Sequence, residues 1–193
     1  MRKIIVLSLI ILTITAVMLN SAEIKMAVSG PGVINDSTLK VGEKVSFDIY
    51  VSNEIKRTGF TFGFAVKSPD IKTVVHVSDS GNGLNDNGDV KGYNGWQDNS
   101  IWDFAGVFAV ERDWDGNLPE LLGFGGLSIK KSYDVEELSK KLSMEMIIPE
   151  SGTLVIDSAW YPPGGKWVFS SPPRIAPEAA PEWFGPYKYS VVK

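Results

Sequence analysis

Apolar and polar residues alternate with a period of two along most of the chain. In Lys44 to Ser52, Val45, Phe47, Ile49 and Val51 interleave with Ser46, Asp48, Tyr50 and Ser52. Such a segment buries one face as a strand and leaves the other in water. Thr58 to Lys67 repeats the pattern, with Phe60, Phe62, Phe64 and Val66 on one face and Thr61, Gly63 and Ala65 on the other. The small residues predict that something packs closely on the second face. Further strands are predicted at Ile24 to Val28, Ile71 to Ser78, Ile101 to Val110, Leu121 to Ile129, Leu142 to Ile148, Thr153 to Trp160, Trp167 to Ser170 and Lys188 to Val192. One stretch has helical spacing instead. Asp134 and Glu137 stand as in a capping box, and Val135, Leu138 and Leu142 fall at i, i+3 and i+7, predicting a short helix over Asp134 to Lys141.

About eight to ten short strands, at most one short helix and Gly, Pro and Asx turns between them predict an all-β fold. The expected architecture is a two-layer antiparallel β-sandwich of jelly-roll type, because a strand with one apolar face must bury it on a second sheet. A closed barrel is the second choice. No internal repeat or linker interrupts the pattern, and Pro-rich Ser171 to Pro181 is expected to be a loop before the last strand.

The N-terminus breaks the alternation. Arg2 and Lys3 lead into an apolar run from Ile4 to Leu19 that ends in small residues at Ser21 and Ala22. This is the form of a secretory signal peptide, expected to occupy residues 1–22 and to be cleaved after Ala22. An uncleaved membrane anchor is the alternative, since Asn20 stands where a small residue is usual. Either outcome exports the remaining domain, Glu23 to Lys193, to the periplasm or the extracellular space, with no further membrane attachment once the leader is removed. Those 171 residues suffice for a single core.

Charge and composition narrow the function classes. Without the leader, 17 basic residues face 23 acidic ones, so nucleic acid and anionic membranes are poor partners. The absence of cysteine excludes thiol catalysis, lipoprotein acylation and zinc–thiolate sites. With one histidine, His76, the usual triads and multi-histidine metal sites lose their basis as well. His76 alternates with Val75 and Val77, which predicts a structural histidine on the polar or second-sheet face.

The segment Leu39 to Asp70, "LKVGEKVSFDIYVSNEIKRTGFTFGFAVKSPD", resembles the opening of cohesin-like domains and of related carbohydrate-binding-module sandwiches. It shows a Val-Gly-acid step, an alternating strand ending in Asn, then a second alternating strand. "LLGFGGLSI" and "GTLVIDSAWYPPGG" are similar to the last core strands of secreted bacterial domains of this kind. The resemblance implies a sandwich and a binding role, since cohesins hold dockerin modules through one sheet face. It transfers no individual binding residue, and the long Asx-Gly loop, the Trp-rich second half and the Pro-aromatic C-terminal stretch depart from the cohesin pattern.

Two loops draw attention. Asp79 to Ser100 holds nine Asn or Asp and five Gly. Asn85, Asn87 and Asp89 take the first, third and fifth positions of an EF-hand-like pattern, but Val90 and Trp96 occupy the places of its Gly and Glu. An irregular calcium site is the residual expectation there, against a plain turn-rich loop. In Glu111 to Glu120, Asp115-Gly116 is a two-residue turn signal between Val107 to Val110 and Leu121 to Phe124. A glycosidase carboxylate pair drawn from Asp103, Glu111, Asp113 and Glu120 is the catalytic alternative.

Aromatic content carries the main functional expectation. Six Trp and six Tyr exceed what a Val, Ile and Phe core needs. Flat rings with a polar tip suit sugar rings, with amides and carboxylates reaching the hydroxyls. The predicted ligand site is Tyr93, Asn94, Trp96 and Gln97, with Trp114, while Trp102 and Trp160 are expected in the core and Trp183 at an open end of the sandwich. The chain is thus read as a monomeric, non-catalytic module for polysaccharide, with no cofactor beyond that calcium. A cohesin-type protein-interaction module is the alternative, and a small glycoside-active enzyme a more distant one.

Overall fold

The computed structural model describes residues 22–77, 93–94, 104–109, 115–127, 136–160, 167–170 and 178–193, and its alternating segments form two β-sheets packed face to face. In chain order the strands are β1 (Glu23–Ser29), β2 (Val33–Asn35), β3 (Thr38–Lys40), β4 (Lys44–Asn53), β5 (Gly59–Lys67), β6 (Val75–His76) and β7 (Tyr93–Asn94). They continue as β8 (Phe104–Ala109), β9 (Glu120–Leu127), β10 (Glu136–Ile147), β11 (Gly152–Ser158), β12 (Val168–Ser170), β13 (Glu182–Trp183) and β14 (Tyr187–Val192). The first sheet runs β13-β1-β4-β10-β6, with β7 also on β10; the second runs β2-β3-β14-β11-β5-β9-β8, with β12 on β5. This is the expected all-β sandwich. Both sheets are mixed, because β13 lies parallel to β1 and β3 parallel to β14. The C-terminal segment thereby stitches the layers, giving β13 to one sheet and β14 to the other.

The core follows the alternation. Val45, Phe47, Ile49 and Val51 of β4 face Phe60, Phe62, Phe64 and Val66 of β5, all at most 2% exposed. Leu154 and Ile156 of β11, Met144 and Met146 of β10, and Tyr189 and Val191 of β14 complete it. Each such side chain contributes about 1.5–3 kcal/mol by leaving water. Across the layers, Phe47 meets Tyr189 edge-on at 5.4 Å, and the Met26 N–H donates to the Tyr187 hydroxyl at 3.0 Å. Burial pushes the Tyr189 phenol well above its ordinary value, with Tyr187 and Asp36 adding to the shift.

Two expectations change. Of the predicted helix over Asp134 to Lys141, the described residues Glu136 to Lys141 are instead the start of β10, which pairs with β4. Register shifts between Glu136 and Ser139 and between Lys140 and Leu142 break the two-residue period there, so bulges imitate helical spacing. Among the described residues of the predicted strand Ile71 to Ser78, Val75 and His76 pair as strand with β10 and Thr73 makes an isolated bridge to Asn117. The Asp115-Gly116 turn signal lies between β8 and β9, which pair antiparallel with Ala109 opposite Phe124. The turn is also pinned sideways: Val74 N–H donates to Gly116 O and Leu118 N–H to Lys72 O, each at 2.8 Å. Gly116 has φ +93°, and a Cβ there would stand 2.8 Å from Val74 O, so the position requires glycine.

Candidate functional site

The two outer faces differ in kind. On β4 of the first sheet, inward Phe47 and Ile49 leave Asp48 on the opposite side, where its carboxylate is already saturated. Ser29 Oγ donates to it at 2.8 Å, Ser46 Oγ at 2.9 Å, Ser143 Oγ at 2.6 Å, and Lys140 Nζ lies at 3.5 Å. Burial alone would raise the Asp48 pKa, but the bonds from Ser143, Ser29 and Ser46 and the Lys140 charge outweigh it and hold the carboxyl below its ordinary value. Lys44 pairs with Glu145 on the same sheet at 3.1 Å. The polar groups of this face therefore satisfy one another.

The outer face of the second sheet has low relief. Gly63 of β5 lies directly against Gly123 of β9, Thr61 against Gly125, and Ala65 against Leu121. On the neighbouring strands, inward Leu154, Ile156, Tyr189 and Val191 turn Thr153, Val155, Lys188 and Ser190 outward. The small residues form a shallow central trough in which Gly63, Ala65 and Gly123 are buried, with Leu121 and Val155 half-buried beside it and Lys67 and Lys188 exposed at Val155. Every described strand belongs to one of the two sheets. The small residues Thr61, Gly63 and Ala65, expected to lie under a close neighbour, are on this side of the sheet, and Gly63 and Ala65 are buried there.

Inside the sandwich, His76 of the first sheet reaches Glu120 of the second, Nε2 to Oε2 at 2.6 Å, with side chains 6% and 0% exposed. The other Glu120 oxygen accepts the Gly116 N–H. His76 is therefore a structural link between the layers, and Val75 beside it is 53% exposed. Asp115 adjoins this link, and its carboxyl lies below the ordinary range because it accepts bonds from the Asn117 backbone and side-chain amides. Glu120 cannot meet an external substrate from such a position. Its suggested catalytic companions Asp103, Glu111 and Asp113 lie outside the described residues.

Of the sequence-predicted ligand residues, the backbones of Tyr93 and Asn94 form β7 and pair with Met144 and Ser143 of β10. Trp96, Gln97 and Trp114 lie outside the described residues, as do the calcium candidates Asn85, Asn87 and Asp89 and the core candidate Trp102. Among the described residues no group of three or more acidic or histidine side chains could hold a metal. Trp183 closes an end of the sandwich as expected, edge-on to Phe64, Trp167 and Tyr187 and donating from Nε1 to Asp157 Oδ1 at 3.2 Å. Trp160 does not join the core: it is 67% exposed. Its signal in the sequence is its place at the end of a strand pattern, just before Tyr161-Pro162-Pro163-Gly164-Gly165.

No protein-family model matches the chain. No curated protein matches it either. Among solved structures, a type II cohesin domain from the cellulosome of Acetivibrio cellulolyticus is similar over 88% of this chain and 95% of its own, at 12% identity and a TM-score of 0.51. The fold is cohesin-like. The second type II cohesin module of the ScaA adaptor scaffoldin from the same organism covers 89% of this chain and 91% of its own, at 10% identity and a TM-score of 0.49. A type I cohesin–dockerin complex from Clostridium thermocellum matches over 88% of this chain and 99% of that one, at 10% identity and a TM-score of 0.44. The cohesin-like frame accounts for the Leu39 to Asp70 pattern, which contains β4 and β5, central strands of the two sheets.

Proposed function

We propose that the domain is an exported, non-catalytic protein-interaction module that docks a protein partner on the outer face of the second sheet. The low-relief trough formed by Thr61, Gly63 and Ala65 against Leu121, Gly123 and Gly125 is the observation that carries this reading. A flat surface with half-buried Val155 and Leu121 loses little solvation when covered, and exposed Lys67 and Lys188 add a polar rim of the kind interfaces use. The saturated Asp48 network of the opposite face offers a partner fewer free groups. The cohesin-like fold and the leader-like N-terminus support the same reading, with the module taken as a single exported domain from Glu23 to Lys193.

Paired substitutions test the proposal. Val155→Glu places a carboxylate between Lys67 and Lys188, where the strand tolerates it, while Ala27→Lys changes the exposed surface of the first sheet. A partner captured from the producing cell's exported proteins should bind wild type and Ala27→Lys alike and lose at least about tenfold in affinity for Val155→Glu, a difference of about 1.4 kcal/mol. Equal binding to all three proteins removes the face from the account.

Polysaccharide binding by Tyr93, Asn94, Trp96, Gln97 and Trp114, with calcium at Asn85, Asn87 and Asp89 ordering the loop, is the second reading. The concentration of aromatic, Asx and Gly residues in Asp79 to Ser100 favours it. Retention on polysaccharide gels, compared between wild type and Trp96→Ala with calcium and with chelator, checks it.

A further inference from the structure

Along one edge of β5 two strands follow each other. β11 pairs with Phe64 to Lys67, β12 pairs with Gly59 to Thr61, and between them the Ala159 N–H donates to Gly63 O at 2.8 Å. A cavity of about 510 Å³ opens at this hand-over, lined by Ser158, Ala159, Trp160, Trp167, Val168 and Glu178, with Ala180. Its volume falls within the roughly 300–1,000 Å³ of small-ligand pockets. Trp160, 67% exposed, has no ring or hydrogen-bond partner among the described residues. An indole left this open in a concave site is unusual, because a large aromatic surface gains by being covered.

We propose that this pocket is a saccharide site in which a sugar ring stacks on the Trp160 indole while its hydroxyls bond Glu178 and Ser158. The frame is rigid. Trp167 stands edge-on to Phe62, Phe64 and Trp183 at 5.3 to 5.7 Å, and Phe169 on the adjoining strand exchanges two backbone hydrogen bonds with Ala179, between the lining residues Glu178 and Ala180. Those contacts also decide the ligand class. A cage for a cation needs several ring faces turned on one point, whereas Trp167 is committed edge-on to the core and its Nε1 is buried. One free ring face, small Ala159 and Ala180 walls and polar Glu178 and Ser158 at the margin form a platform for a flat ring with hydroxyls. A carboxylate accepts several hydrogen bonds at once, so Glu178 serves hydroxyls alongside its other contacts. None of the residues that line the site belongs to the protein-docking trough.

The test uses the intact protein and a panel of cello-, xylo-, manno- and malto-hexaoses, read by calorimetry and tryptophan fluorescence. Wild type binds at least one hexaose; Trp160→Ala weakens that binding about tenfold or more, and Trp160→Phe retains part of it. Glu178→Gln gives an intermediate loss, while Ala27→Lys, on the exposed surface of the first sheet, leaves the affinity unchanged. Thermal melts confirm that Trp160→Ala stays folded, as expected for so exposed a side chain. No binding of any hexaose at millimolar concentration overturns the proposal, and so does binding that Trp160→Ala leaves intact. Loss of protein capture in Trp160→Ala without any sugar binding reassigns the ring to the protein interface.

Discussion

Asp48 is ionised in the middle of a crowded sheet because three serine hydroxyls and Lys140 replace the water it loses. Its carboxyl gives up a proton more readily in the folded than in the unfolded chain. Its stabilising contribution is therefore complete above the unfolded carboxyl range, near pH 4, and is lost as pH falls through the lower folded value. Asp48→Asn should cost about 1–3 kcal/mol at pH 7, and the gap from wild type should shrink on acidification, as read by urea unfolding at pH 7 and pH 3. The His76–Glu120 link is another residue-scale commitment. Glu120→Ala leaves both the His76 ring and the Gly116 N–H without their carboxylate and should cost about 3–5 kcal/mol in the same assay. Alternation placed His76 off the Val75 and Val77 side, but one strand's pattern cannot name an inter-sheet partner 44 residues away.

At the scale of elements, β4 and β5 were legible because both keep strict alternation through a central position, where one face must be buried. β10 was misread for the opposite reason: its two register shifts alter the parity of Leu138 relative to Leu142. Backbone chemical shifts over Glu136 to Ile147 should be those of extended chain, and helical shifts there would contradict the pairing with β4. The short strands β2, β3, β7 and β13 were missed, since two or three residues carry too little period to register. Gly116 was recognised as a turn residue, but its docking against Val74 is a tertiary fact. Gly116→Ala must adopt a positive φ and displace Val74 O, which should cost about 1–3 kcal/mol in a denaturant titration.

For the whole molecule, the two outer faces divide the work: one closes its polar groups on themselves, while the other offers a partner half-buried Thr61, Leu121 and Val155 and exposed Lys67 and Lys188 around a trough of small residues. The small-residue face was visible in the sequence as Thr61, Gly63 and Ala65. Which way it points depends on the sandwich as a whole, because only Phe62 and Phe64 packing against the other sheet turn Gly63 outward. The exposure of Trp160 was hidden for a similar reason: strand alternation continues to it, but the sheet beneath it changes partner. Hydrogen–deuterium exchange of the domain with and without its captured protein partner tests the central claim most directly. Added protection should fall on Thr61 to Ala65, Leu121 to Gly123 and Thr153 to Val155 of the second sheet, while the peptide Lys25 to Ser29 of the first stays unchanged. Protection confined to the first sheet, or to neither, would contradict the assignment of the docking face.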